Sequence, residues 1–226
     1  MGFAYLTIDD GPSEDFERKI ELLRARGVPA VFFCVGEQLE RRSASVVNAI
    51  RDGFLIANHS YSHPAFSQLS IAEATREIAA TDSIIEQLYR SADRPRPMKL
   101  FRFPYGDRGR SADVLKHELR EMGYVGLRIP SPRLPFPFVR SLRFRGPDSW
   151  WTFDLRDWCL ARPGHTHAIH STGDVMDRLD REITQARWRI GSNHVLLMHD
   201  HVETSGLFAP LVDRLLQYGV VFRLPS

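Results

Sequence analysis

The sequence is poor in cysteine and lysine, and it has no long apolar run. Its only cysteines, Cys34 and Cys159, form no CxxC motif, which favours reduced thiols over a disulfide framework. No apolar stretch approaches the roughly 20 residues that are needed to span a bilayer. The net charge of +2 is carried by scattered arginines, whereas a nucleic-acid-binding protein would cluster its positive charge. A membrane-spanning or nucleic-acid-binding function is therefore not expected.

The bulk composition predicts one domain over residues 1–226. A hydrophobic content of 43% is sufficient for a substantial core, and no linker divides the chain. The first apolar segment begins almost at the N-terminus and leaves no room for a signal peptide, so we expect a cytoplasmic protein. A secreted or periplasmic chain trimmed of its leader would look the same. The Pro-rich stretch Ile129–Pro147 predicts an irregular surface excursion of the same domain.

Short apolar segments alternate with amphipathic ones along the whole chain, which predicts an α/β domain with a mostly parallel sheet. About eight alternations favour a barrel or a partly closed relative of one, although an open doubly wound sheet has the same periodicity. A first helix is expected over about Glu14–Arg26, and a longer one after Ser70, which forms a capping box with Glu73. The predicted strands are Phe3–Ile8, Ala30–Cys34, Leu55–Asn58, Lys99–Phe103, Tyr124–Arg128, Trp150–Phe153, His194–Met198 and Val220–Leu224.

Two adjacent carboxylates, Asp9 and Asp10, follow the first apolar segment in the sequence TIDDGP. They lie at the expected C-terminal end of a strand, where α/β folds collect their catalytic groups. Adjacent like charges repel, so the pair persists most readily if a cation neutralises one carboxylate and leaves the other free.

His59 and His63 follow the strand Leu55–Asn58 in the sequence HSYSH. Their spacing of four predicts that both imidazoles lie on one face of a helical turn and bind one metal ion, although such pairs also occur without metal. Two histidines and one carboxylate leave a coordination position for water, which zinc makes nucleophilic near neutral pH. The second carboxylate can then serve as the base.

Three later segments each place a polar side chain at the end of an expected strand. Arg102, in RFPYG, has the planar fork that holds a carboxylate in place. Asp157 and Trp158, in DLRDW, combine a carboxylate with a large apolar face, although a helix N-cap before a core tryptophan has the same pattern. His199, in LMH, suits a general acid because its unperturbed pKa is about 6.5.

Four other histidines are left out of the predicted site. We expect His201 to point away from the side that His199 faces. We also expect the loop with His165, His167 and His170 to be solvated rather than a second metal site, because no carboxylate or cysteine lies among the three.

In this order, the five segments resemble the five motifs of the polysaccharide deacetylase family, also called carbohydrate esterase family 4 or the NodB-homology domain. The first motif reads TIDDGP where TFDDGP is usual, and the resemblance extends from the first strand to Leu224. It implies a distorted (β/α) barrel with seven to eight strands.

The resemblance also implies a role for each motif residue. Asp9 would be the general base, oriented by Arg102, and His199 the general acid, tuned by Asp157. One divalent ion is implied, zinc by default and cobalt or nickel as alternatives. The implied metal ligands are Asp10, His59 and His63, the Tyr105 backbone amide would help to hold the oxyanion, and Trp158 and Leu197 would line the acetyl pocket.

The function implied by the resemblance is the metal-dependent removal of N-acetyl groups from an amino sugar in a poly- or oligosaccharide, with release of acetate. Alternatives are a hydrolase of another amide or ester on the same fold, such as a cyclic ureide or acetylated xylan, and a glycan-binding inactive homologue. A non-haem iron oxygenase also uses two histidines and a carboxylate, but that class normally has an all-β scaffold. The sequence leaves the particular glycan and the oligomeric state open.

Overall fold

A parallel sheet forms the centre of the computed structural model, which describes residues 3–128, 146–162, 164–185 and 193–226. Within these ranges the strands are β1 (Phe3–Gly11), β2 (Ala30–Cys34), β3 (Leu55–Asn58), β4 (Phe153–Asp154), β5 (His194–His199) and β6 (Val221–Phe222). They pair in the order β3-β2-β1-β5-β4, and β6 pairs with the start of β1. All these pairings are parallel, which confirms the predicted sheet type.

Helices connect the strands, as expected for parallel pairing. In the described ranges they are α1 (Phe16–Ala25), α2 (Gly36–Arg41), α3 (Ser43–Arg51), α4 (Ile71–Ser91), α5 (Ala112–Glu121), α6 (Thr172–Ile183) and α7 (Ser205–Gln217). The capping box at α4 is confirmed, because Ser70 and Glu73 exchange side-chain and backbone hydrogen bonds. No helix in these ranges is long and apolar enough to cross a membrane.

Two of the predicted strands, Lys99–Phe103 and Tyr124–Arg128, form only isolated bridges. Phe101 bridges Asn58 at the end of β3 on one side and Asp148 on the other. Prolines on both sides of this segment cannot donate to a ladder, which limits its pairing to a few residues. The described residues therefore contain six strands, and the expected count of seven to eight is not confirmed.

The boundaries of other elements differ slightly from the prediction. β4 begins at Phe153 instead of at residue 150, and α1 begins at Phe16 instead of at residue 14. Most of the predicted Pro-rich excursion, residues 129–145, lies outside the described residues.

Alternate side chains of the central strands face two apolar layers. Ile8 of β1 packs in a cluster with the helices, whereas Tyr5 of β1 and Val195 of β5 pack in a second cluster on the opposite face. Because side chains in a strand alternate, Asp9 continues the row of Tyr5, and His199 continues the row of Val195. Both rows end at the C-terminal edge of the sheet, where the candidate site lies.

Candidate metal and active site

A bulge in β1 places Asp9 and Asp10 at the same site. Consecutive strand residues normally face opposite sides, but here Asp9 pairs with Phe33 and Gly11 pairs with Cys34, so Asp10 is an extra residue. Its φ of 70° is in the left-handed region, which costs a non-glycine residue about 1–2 kcal/mol. This local strain lets both carboxylates line one cavity.

Asp10, His59 and His63 bring three ligand-type atoms to within 4.8 Å of one another. The Nε2 atoms of His63 and His59 lie 2.9 Å and 3.4 Å from Asp10 Oδ1. His59 Nδ1 lies 2.8 Å from the carbonyl oxygen of Arg102, and donation there leaves the Nε2 lone pair directed at Asp10. His63 Nε2 is buried without an aligned hydrogen-bond partner among the described residues. These donors fit a zinc-type ion with one open coordination position.

The two histidines converge through a loop, so the predicted helical turn is wrong. Residues 59–65 have no helical hydrogen bonding, and Ser60 and His63 have φ values of 68° and 58°. Glu77 of α4 supports the loop, because its carboxylate accepts hydrogen bonds from the backbone N–H groups of Tyr61 at 2.9 Å and Ser62 at 2.8 Å. The two imidazoles are therefore brought together by left-handed residues in a loop that α4 stabilises, and not by a helical turn.

Arg102 holds Asp9 in a buried ion pair. Its side chain is 1% exposed, and its Nη1 donates to Asp9 Oδ1 at 2.6 Å and to Thr7 Oγ1 at 2.9 Å. The guanidinium also stacks on the Phe33 ring, with its Cζ 4.1 Å from the centroid. The pairing occupies Oδ1, while Asp9 Oδ2 lies 3.6 Å from His59 Nε2 and faces the three-residue group. Asp9 is therefore a fixed carboxylate with one oxygen turned to the candidate metal.

His201 contacts this site, so the expectation that it points away from it is wrong. Its Nε2 lies 2.7 Å from Asp10 Oδ2, while Oδ1 of the same carboxylate faces the other two imidazoles. Burial raises the pKa of Asp10, but its contacts with His201, His59 and His63 outweigh burial and hold that pKa well below the usual value. Residues two apart in a strand share a face, so the repeat HDH was the signal for two histidines on the same side.

His199 is paired with Asp157 across the end of β5. Its Nδ1 lies 2.9 Å from Asp157 Oδ1, and its backbone N–H donates to Oδ2 at 2.8 Å. Burial lowers the pKa of His199, but the charge and hydrogen bond of Asp157, helped by Asp10 and Asp154, raise it to about 9. Without a bound cation, this imidazole is therefore protonated at neutral pH and can give up a proton.

A cavity of about 190 Å³ connects these groups. The three residues expected to bind substrate, Tyr105, Trp158 and Leu197, all line it. Asp154 and Arg162, which sequence reasoning did not single out, line it as well. The remaining lining residues are Asp9, Asp10, His59, His63, Phe103, Gly106, Trp151 and His199.

Backbone strain is concentrated around this cavity. In the described residues, all but one of the non-glycine residues with left-handed φ lie in the motif loops, and each costs of order 1–3 kcal/mol. They are Asp10, Ser60, His63, Tyr105 and Arg156, with Asp93 as the exception. The fold therefore tolerates local strain at the places where it brings these side chains together.

The loop histidines form no metal-type group within the described residues. The rings of His165 and His170 stack at 5.6 Å, and those of His165 and His167 stand edge-on to Trp158 at 6.0 Å and 5.5 Å. The loop therefore packs against Trp158, which lines the cavity.

Comparison with known proteins identifies the family. The family model described as polysaccharide deacetylase matches residues 2–127, more than half of the chain. The chain therefore belongs to the polysaccharide deacetylase family.

Individual relatives agree with this assignment. The peptidoglycan-N-acetylglucosamine deacetylase of Bacillus cereus is 36% identical over 116 residues, which are 51% of this chain and 38% of that protein. The chain thus matches well under half of the length of this curated relative. Among solved structures, a family 4 carbohydrate esterase from Streptomyces lividans in complex with acetate aligns over 100% of this chain and 93% of its own, with 25% identity and a TM-score of 0.68.

The fold is also shared by a family 4 pseudoenzyme from Bacillus anthracis. It is 20% identical, has a TM-score of 0.66, and is matched over 97% of this chain and 62% of its own. Activity in this fold therefore depends on the residues of the site.

Proposed function

We propose that the chain is a metal-dependent hydrolase that removes N-acetyl groups from an amino sugar in a poly- or oligosaccharide and releases acetate. The observation that carries this proposal is the convergence of Asp10, His59 and His63 within 4.8 Å, beside a carboxylate that is held by a buried arginine. Membership of the polysaccharide deacetylase family supports the substrate class.

Asp10, His59 and His63 would hold one divalent ion, zinc by default and cobalt or nickel as alternatives. When bound, the ion supplies a Lewis acid and lowers the pKa of a coordinated water towards 7. Two observations support this ligand set: His63 Nε2 has no aligned hydrogen-bond partner among the described residues, and the contact of His59 Nδ1 with a carbonyl oxygen fixes the tautomer of His59.

Two protein groups move protons. Asp9 removes a proton from the attacking water through the oxygen that Arg102 leaves free. His199, whose pKa is raised to about 9 by Asp157, donates a proton to the departing sugar amine. The base and the acid belong to neighbouring strands, since Asp9 pairs in register with His199.

Other residues orient the acetamide. The backbone N–H of Tyr105 has no hydrogen-bond acceptor among the described residues. It can therefore donate a hydrogen bond to the oxyanion that develops during the reaction. Leu197 and Trp158 supply apolar surface for the acetyl methyl group.

An acetate-release assay on a panel of substrates tests the proposal. Chitooligosaccharides, peptidoglycan fragments and acetylated xylan would be incubated with zinc-loaded protein, with and without chelator, and a cyclic ureide would be followed for ring opening. We expect acetate from an N-acetylated glycan, loss of the activity with chelator, and recovery on adding zinc. Chelator-sensitive turnover of only the xylan or the ureide would move the function to the alternative hydrolases. Glycan binding without any turnover by metal-loaded protein would instead indicate an inactive homologue.

A further inference from the structure

Arg162 is the only arginine or lysine that lines the cavity in the described part of the chain. Its guanidinium Cζ lies 5.0 Å from the centroid of the Tyr105 ring, and that ring stands edge-on to His63 at 4.6 Å. The exposed ring of Tyr105 thus positions the guanidinium of Arg162 near His63, a candidate metal ligand.

Arg162 has no close counter-ion of its own among the described residues. Its nearest carboxylate oxygen is Asp10 Oδ2 at 3.9 Å, which is too long for a hydrogen bond. That oxygen already contacts His201 at 2.7 Å, and the other oxygen of Asp10 faces the candidate metal ligands. The N–H donors of Arg162, on a side chain that is 43% exposed, are consequently available to a ligand in the cavity.

The neighbouring carboxylates do not compensate this charge. Asp9 is paired with Arg102, and Asp157 is paired with His199. Asp154, the other carboxylate that lines the cavity, accepts hydrogen bonds from the backbone N–H of Arg156 and the ring N–H of Trp158. None of the three is therefore free for Arg162. A bound divalent ion would neutralise Asp10 and leave the wall that carries Arg162 more positive still.

We propose that Arg162 binds a carboxylate carried by the substrate close to the acetamide, so that the enzyme prefers acidic N-acetylated glycans over neutral ones. The planar guanidinium fork matches a carboxylate with two parallel hydrogen bonds. This inference rests on the proposed function and specifies its substrate class. The carboxylate belongs either to the acetylated sugar itself, as in N-acetylmuramic acid, or to the next sugar, as in a uronic acid, and the two sources are distinguished by the assay.

The experiment compares Arg162→Ala and Arg162→Lys with wild type on three oligosaccharides. One contains only N-acetylglucosamine, one alternates N-acetylglucosamine with N-acetylmuramic acid, and one alternates it with glucuronic acid. The matched control is Arg110→Ala, an exposed arginine that does not line the cavity. Zinc content is measured for every variant.

We expect Arg162→Ala to lower the preference for one carboxylated substrate over the neutral one by about 10-fold, mainly through KM, because a charge-assisted pair at a half-exposed site is worth this order of magnitude. Lysine should restore part of the preference, and high salt should reduce it. Equal losses on acidic and neutral substrates, or an unchanged preference, would overturn the inference.

A binding experiment keeps this test separate from the proposed function. Saturation-transfer NMR on the zinc-loaded protein compares N-acetylmuramic acid and glucuronic acid with N-acetylglucosamine. If no substrate is hydrolysed, the deacetylase proposal fails, but the inference is still tested. Preferential binding of an acidic sugar by wild type that is lost in Arg162→Ala would support it, and equal binding of acidic and neutral sugars by wild type would overturn it.

Discussion

Replacing Asp157 by asparagine should make activity fall at a lower pH as the pH rises. Asp157 is 2% exposed and accepts two hydrogen bonds from His199, one from the ring and one from the backbone. Its negative charge and hydrogen bond, helped by the charges of Asp10 and Asp154, hold the pKa of His199 at about 9 instead of 6.5, against the effect of burial. This rise of roughly 2.5 pKa units corresponds to about 3 kcal/mol in favour of the imidazolium.

The size of the effect follows from the lost charge. An opposite charge at this distance shifts a pKa by about 1–3 units, so removal of Asp157 should bring the pKa of His199 down to about 7. A general acid is active when protonated, and its contribution is lost as the pH rises through its pKa. At pH 8 the protonated fraction would fall from about 90% to about 10%, a roughly tenfold loss of rate, whereas at pH 6 it would hardly change.

Asparagine also introduces an effect that does not depend on pH. The two hydrogen bonds from His199 go to different oxygens of Asp157, and asparagine replaces one of these oxygens by an NH₂ group. One buried donor is then left unpaired at a cost of about 1–3 kcal/mol. This cost lowers the stability, and it can lower the rate at every pH. The pH-dependent part of the loss is therefore the quantity that reports on the acid.

The assay is the pH profile of kcat/KM for acetate release by zinc-loaded wild type and Asp157→Asn, from about pH 6 to pH 9. A bound cation lowers the pKa of His199 in both proteins and moves both alkaline limbs to lower pH. The comparison therefore uses the separation between the two limbs and not the rate at pH 8 alone. Asp113→Asn, which changes a side chain that is 98% exposed on α5, is the matched control. If the alkaline limbs of wild type and Asp157→Asn coincide, the assignment of His199 as the acid held by Asp157 is refuted.

Three further predictions concern the other groups of the site. Asp10→Ala and His63→Ala should each abolish stoichiometric zinc binding in elemental analysis, and full occupancy would refute the ligand set. Asp9→Asn should keep zinc but lose acetate release. Because this change leaves a buried arginine unpaired, thermal unfolding must show that the variant is folded. Near-wild-type turnover would exclude Asp9 as the base. His201→Phe should weaken zinc or cobalt affinity about 10- to 100-fold in a titration by removing the contact that orients Asp10, and His201→Gln should retain more; unchanged affinity in both would show that the contact is dispensable.

The central strands could be predicted from local patterning, and the peripheral ones could not. β1, β2, β3 and β5 are short apolar runs, and each begins at the predicted residue. The segment Lys99–Phe103 has the same composition, but flanking prolines and partners from distant parts of the chain reduce it to bridges. The length of a strand depends on the segments that pair with it, and a local sequence pattern does not contain this information.

The candidate site was predictable to the extent that motifs mark strand ends. The sequence placed Asp9, Asp10 and His199 at the C-terminal edge of a sheet, and the structure brings them to one cavity. His201 was missed because it was expected to point away from the side of His199, and its contact with Asp10, 191 positions away, is visible only in the structure. Arg162 was missed because a single loop arginine has no distinguishing pattern until its neighbours are known.

The sequence by itself determined the residue types, their order and their positions at the ends of strands, because hydrophobic periodicity and adjacent charges are local properties. Only the tertiary structure decided that a bulge turns Asp10 to the side of Asp9 and that left-handed turns rather than a helix bring His59 and His63 together. It also decided that, among the described residues, Arg162 has no carboxylate within hydrogen-bond distance. These features depend on distances between segments that are remote along the chain, and such distances are set by how the strands pair and the loops pack.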